Sequence, residues 1–282
     1  MKQLLIRTIT GAVFVALMIW ATLSAKMVLF NVFLIFTCIA LYEYVKMLNA
    51  KDINISWAFY IVALVLYFFI AYDPLFNYVG EIGILVIVLA LSMILMTVDL
   101  FRNSYNAFDV IAYEVLGLLW IVLPMALINR IPMMFAHGNV ILLLYFIIIW
   151  MSDTFAYCVG SLIGKHKLFE RVSPKKTWEG CIGGAVFCSV LTALFFAFVM
   201  VDVIDVKMPF AAFVALAAFF GFILSCVSQL GDWMASSIKR LVNIKDFGKL
   251  MPGHGGIMDR FDSAFFTLPV ALGLALAVTL GG

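Results

Sequence analysis

The sequence predicts an all-α, polytopic integral membrane protein with about nine transmembrane helices and a cytoplasmic N-terminus. Three observations carry this. Of 282 residues, 66% are hydrophobic and only 12% are charged, too few polar groups to cover a water-facing exterior. The apolar residues gather in long runs of membrane-spanning length. The basic residues fall overwhelmingly on one side of those runs.

The nine runs lie at about 8–25, 27–47, 57–72, 81–98, 110–129, 139–160, 181–201, 209–231 and 264–281. The third is short, and the first two stand close enough to form a tight hairpin. The opening segment, with Lys2 and Arg7 ahead of an apolar stretch, has the outline of a signal peptide, but "LSA" is a poor cleavage site and a second run starts directly after Lys26, which favours an uncleaved first span. With the N-terminus inside, 15 of the 18 Lys and Arg residues face the cytoplasm, and only Lys26, Arg130 and Lys207 face out. Cys38, Cys158, Cys181, Cys188 and Cys226 sit in apolar runs without metal-ligand spacing and read as small buried hydrophobes. Residues 1–130 form an N-terminal set of spans, and 131–282 a C-terminal set carrying the chemistry at its cytoplasmic face.

Two cytoplasmic segments concentrate the charge: "GSLIGKHKLFERVSPKKTWEG" (160–180) and the stretch from Gly231 to Ser263. In the second, the eighth span runs on without a turn signal. As a helix it places Asp232, Ser236, Lys239 and Asn243 on one face, with Arg240 beside them. Pro252 is the expected stop. Gly255 and Gly256, with Gly253, allow a ligand close to the main chain, and free N–H groups in such a turn can hold an anion. Asp259 and Asp262 follow three apart on one helical face. Their plainer role is charge at a helix N-terminus; with Asp232 folding back, they also offer oxygen ligands for a hard cation. His254 stands among the glycines beside these carboxylates.

In the first segment, Asp153 lies inside an apolar run, where charge is costly and marks function. It shares a face with Tyr157, Gly160 and Gly164, which also fits a small-residue packing face. "GSLIGKH" lacks the Gly-x4-Gly-Lys-Ser/Thr spacing of a P-loop. Ser173, Lys175 and Lys176 sit at a Ser-Pro turn, as flanking charge or as a clamp for a polyphosphate. Together these features describe a phosphate-handling site at a membrane interface, suited to one lipid and one soluble phosphorylated substrate.

Residues 236–263, "SSIKRLVNIKDFGKLMPGHGGIMDRFDS", closely resemble the signature of the phosphatidate cytidylyltransferases, or CDP-diacylglycerol synthases. Ser236, Lys239, Arg240, Lys245, Asp246, Gly248, Pro252, His254, Gly255, Gly256, Asp259, Arg260 and Asp262 match; Met251 stands where Leu, Ile or Phe is usual. The segment 152–180 is similar to the family too, whereas the first 130 residues match only as spans. The resemblance implies transfer of CMP from CTP to phosphatidic acid, releasing pyrophosphate, as the first committed step to phospholipids. It implies Mg²⁺ held by Asp232 and Asp259, with room for a second cation, and a homodimer in a bacterial-type inner membrane, its site facing the cytoplasm. Lys239, Arg240, Lys245 and Arg260 are implied to bind phosphates, Asp153, Lys175 and Lys176 to meet the nucleotide or lipid head group, and His254 and Asp246 to lie in the site. CDP-alcohol phosphotransferases are disfavoured because the sequence has no Asp-Gly dipeptide. A secondary transporter using Asp153 and Glu114 is disfavoured because charge and glycine gather on one face of one half.

Overall fold

The computed structural model describes residues 2–102, 107–135, 137–169, 172–200 and 209–280. Each apolar run coincides with helical structure to within two residues at its described ends; the run ends at 201 and 281, and the basic residues Arg171 and Lys207, fall outside the described residues. The helices are α1 (Lys2–Leu23), α2 (Lys26–Asn49), α3 (Trp57–Ala71), α4 (Asp73–Arg102), α5 (Ala107–Gly117), α6 (Leu123–Ile128), α7 (Ile131–Met134), α8 (Gly138–Ile163), α9 (Trp178–Phe195), α10 (Phe210–Leu241) and α11 (Met258–Leu280). A π-helical turn, Leu118–Val122, joins α5 to α6 into one rod, and another, Phe196–Met200, extends α9. Among the described residues, seven helices are long and apolar enough to cross a membrane, or eight if Trp57–Ala71 and Pro74–Gly80, bent by 86°, form one span. Of the nine runs, the third falls on α3, which has only 15 residues, and the ninth on α11, whose far end is not fully among the described residues.

By contact the chain divides into two compact units: Met1–Met134 with Asp246–Phe261, and Phe135–Lys245 with Asp262–Gly282. In the first, α1 and α2 are separated by only Ser24 and Ala25, the expected hairpin link. Its core gathers Phe14, Phe33 and Phe36 around Phe261, with ring centroids 5.9, 5.8 and 5.6 Å from the Phe261 ring. Phe247 packs edge-on against Trp120 at 6.2 Å. The segment 246–261 is thus pinned at both ends by aromatic side chains, which bury large areas in specific geometry.

The second unit is built on α8, α9 and α10. Close approach of α8 and α9 needs small residues. A Cβ on Gly160 would lie 2.9 Å from Thr177 Oγ1, and one on Gly184 3.0 Å from Ala156. Gly160 therefore serves helix packing. The Ser152 and Ser225 hydroxyls pair at 2.6 Å, and Gln229 donates to the Cys181 carbonyl at 3.1 Å. α11 docks on α8 through the Tyr145 hydroxyl, 2.7 Å from Thr267 Oγ1 and 3.1 Å from the Ala264 carbonyl. Cys188 is buried but Cys38 and Cys158 are exposed on the protein surface, so these two are not the core residues the sequence suggested.

Two local expectations are corrected. The α10 helix ends at Leu241, eleven residues before Pro252. Val242 terminates it, and Asn243 takes a left-handed conformation, φ 58°, which Asn tolerates better than most residues. Asn243 thus leaves the face carrying Asp232. The Ser-Pro turn is instead part of a two-stranded antiparallel sheet, β1 (Lys167–Phe169) and β2 (Ser173–Thr177), with Lys167 opposite Thr177 and Phe169 opposite Ser173. Thr177 then caps α9, its hydroxyl accepting from the Gly180 amide at 3.2 Å.

Candidate active site

In the second unit, the last three turns of α10 carry Asp232, Ser236, Lys239 and Arg240. The β2 strand brings Lys176 to this face, where its ammonium pairs with Asp232 Oδ2 and lies 5.7 Å from the Trp233 ring centre. Ser236 donates a long bond, 3.4 Å, to Asp232 Oδ1. Lys239 stands 3.8 Å from Asp262 Oδ2, and both side chains are largely buried. Asp262 is near enough to Asp232, Asp153 and Lys239 to feel their charges. Three acids and two lysines therefore surround the end of α10. Arg240 points its Nε toward the Val172 carbonyl at 3.5 Å. Lys175 and Lys245 are exposed, and Ser173, on β2 with Lys175, is partly buried.

In the first unit, the segment after Asp246 doubles back. The Met251 amide donates to the Gly255 carbonyl and the His254 amide to the Met251 carbonyl, both at 2.9 Å. Gly253 and Gly255 take φ +79° and +80°, a region where a side chain would be strained. The turn does hold an anion, but that anion is the chain's own Asp259. Its Oδ2 accepts from the amides of Phe247 at 2.8 Å, Gly256 at 2.9 Å and Gly248 at 3.4 Å. The Gly256 amide is thus already engaged. Asp246 and Arg260 face outward.

Helix α1 holds the tip of this turn. Arg7 Nε donates to the Gly253 carbonyl at 2.8 Å, and the Thr10 hydroxyl lies 2.8 Å from His254 Nδ1. Burial, with the nearby Arg260 and Arg7 cations, lowers the His254 pKa from its ordinary value, because both disfavour a charged imidazole.

The sequence reading missed Arg7, Thr10 and Glu43 as site neighbours. In the sequence Arg7 reads only as flanking charge. Glu43 carried the same signal as Asp153, a lone acid in an apolar run, and in the structure it is buried against the start of α11.

The long apolar helices define a polytopic membrane protein; the second unit gathers acids and bases at the end of α10, and the first carries the doubled-back turn before α11. The chain belongs to the Cytidylyltransferase family, whose model matches residues 5–277. It is similar to proteins named phosphatidate cytidylyltransferase from Staphylococcus epidermidis, 44% identical over 135 residues, from Staphylococcus aureus strain COL, 43% identical, and from Staphylococcus saprophyticus, 42% identical. In each case the match covers 48% of this chain and 48% of the relative, so it spans about half the length of these curated relatives.

Proposed function

We propose that the protein transfers CMP from CTP to phosphatidic acid, giving CDP-diacylglycerol and pyrophosphate at the cytoplasmic membrane interface. The observation that carries this reading is the gathering of Lys176, Lys239, Asp232, Asp262 and Asp153 around the end of α10, in a chain of this family. A phosphate oxygen of the lipid attacks the α-phosphorus of CTP in line. The bond from that phosphorus to the bridging oxygen of the β-phosphate breaks, and pyrophosphate leaves with the electron pair. Both reactants are anions, so the chain's first task is to reduce their repulsion. Lys176 and Lys239, each now paired with a carboxylate, supply charge that a polyphosphate can share. Arg240, Lys245 and Lys175 add exposed cations in the same unit, and Arg260, exposed in the other unit, is a further proposed phosphate binder.

The carboxylates suit Mg²⁺, which takes one or two of them and fills its shell with water and phosphate oxygens. Asp232 is the first proposed ligand, and Asp262 lies near enough to feel its charge. Among the described residues no group of three His, Cys, Asp or Glu side chains is placed to hold a metal ion by itself. Asp259 belongs to the other unit, and one of its oxygens already holds three backbone amides; it is the second proposed ligand. A second cation and a homodimer in the inner membrane complete the reading, which places the chain at the first committed step to phospholipids. When bound, Mg²⁺ would supply charge neutralisation at the α-phosphate.

Nucleotide choice tests the proposal. With phosphatidic acid as acceptor, CTP is expected to support lipid-nucleotide formation far better than ATP or GTP. Equal turnover with ATP would remove the cytidylyl assignment.

A further inference from the structure

Glu43 lies within the last two turns of α2 and is only 4% exposed. A buried carboxylate needs partners, or it remains costly. Its partners are backbone amides 214 and 215 residues away: Oε1 accepts from Ile257 at 3.2 Å and Oε2 from Met258 at 2.9 Å. Ile257 immediately precedes α11 and Met258 opens it, and amides at a helix start find no partner within the helix. Glu43 therefore does the work of a helix cap from a different helix.

The fit around it is tight. A Cβ on either Gly248 or Gly256 would run into the Glu43 carboxylate, and one on Gly255 would lie 2.7 Å from Asp259 Oδ2. The backbone of the turn thus closes around two carboxylates. Asp259 holds the amides of Phe247, Gly248 and Gly256, and Glu43 holds the next two. Five amides of one loop are fixed by two acids, and one of those acids belongs to a membrane helix far off in sequence.

We infer that Glu43 is a positioning residue of the transfer site, whose carboxylate fixes the Gly256–Met258 backbone and so sets where Asp259 and Arg260 emerge at the start of α11. It does not touch substrate; it acts through the turn. The inference rests on reading this loop as part of the cytidylyl-transfer site, and the test separates the two.

The full chain is purified in detergent as wild type, Glu43→Gln and Glu43→Ala. Hydrogen exchange at the Ile257 and Met258 amides is measured together with CDP-lipid formation. Bonds to a charged acceptor are strong enough that losing them should speed exchange at these amides by about tenfold to a hundredfold. Glu43→Ala is expected to show that acceleration and a loss of turnover of at least about tenfold. Glu43→Gln keeps one carbonyl acceptor and should fall between wild type and Glu43→Ala in both readouts, a partial rescue that mere filling of space would not produce. If Glu43→Ala fails to fold, Glu43→Gln decides alone. Unchanged exchange at both amides overturns the inference, as does accelerated exchange with wild-type turnover. A wild-type protein that makes no CDP-lipid defeats the transfer reading, and the exchange data still decide whether Glu43 holds the loop.

Discussion

Replacing Asp259 by Asn separates anchoring from metal binding. Asp259 Oδ2 receives two short bonds, 2.8 and 2.9 Å, and a third at 3.4 Å. Hydrogen bonds to a charged acceptor contribute about 1.5–3 kcal/mol each and neutral ones about 1 kcal/mol. The two short bonds therefore hold the loop by about 3–6 kcal/mol. Asn keeps a carbonyl acceptor, so the expected cost of Asp259→Asn is about 2 kcal/mol, and of Asp259→Ala about 3–5 kcal/mol. At about 2–4 °C per kcal/mol in chains of comparable size, the Asn variant should melt roughly 4–8 °C lower. Thermal melts in detergent with EDTA, and again with Mg²⁺ and CTP, check this. Because the amides need no metal, the drop should appear in full with EDTA. If Asp259→Asn melts with wild type in EDTA and differs only when Mg²⁺ and CTP are present, Asp259 acts through the ligand alone and the anchoring argument is refuted.

Three further outcomes follow from the same geometry. The His254 pKa is lowered in the folded chain, so the imidazole's contribution to stability is complete above its unfolded pKa of about 6.5 and is lost as pH falls through the folded value; His254→Gln should flatten that part of a melting-temperature profile between about pH 5 and 7, and an unchanged profile would discount the effect. The Lys176–Asp232 pair is 27% exposed on each side, so Lys176→Met should cost less than about 1 kcal/mol of stability yet raise KM for CTP; an unchanged KM would take Lys176 out of the phosphate site. Cysteines at Lys167 and Lys249 should both label only from the cytoplasmic side, and labelling from opposite sides would contradict the orientation drawn from the basic residues.

The helices were legible because their signal is local: an apolar run of adequate length is a helix whatever its neighbours do. So was the continuation of the eighth span into a charged helix, where Asp232, Ser236 and Lys239 share a face. The end of α10 was harder to place, because Asn243 stops it through a backbone conformation that sequence pattern does not mark as strongly as proline. The short sheet was illegible for a similar reason. Strands of three and five residues carry too little periodicity. Glu43 needed a different kind of information. Its partners are backbone amides more than 200 positions away, and amides leave no trace in side-chain identity. Asp259 was singled out as a candidate, but its hold on the turn's backbone became visible only once that turn was folded.

The central claim is tested most directly by following the α-phosphorus. The purified protein is mixed with phosphatidic acid, Mg²⁺ and CTP labelled at the α-phosphate. The account predicts label in CDP-diacylglycerol with one pyrophosphate released per lipid formed. Label that stays in CTP, or that leaves as CMP without entering lipid, would contradict it.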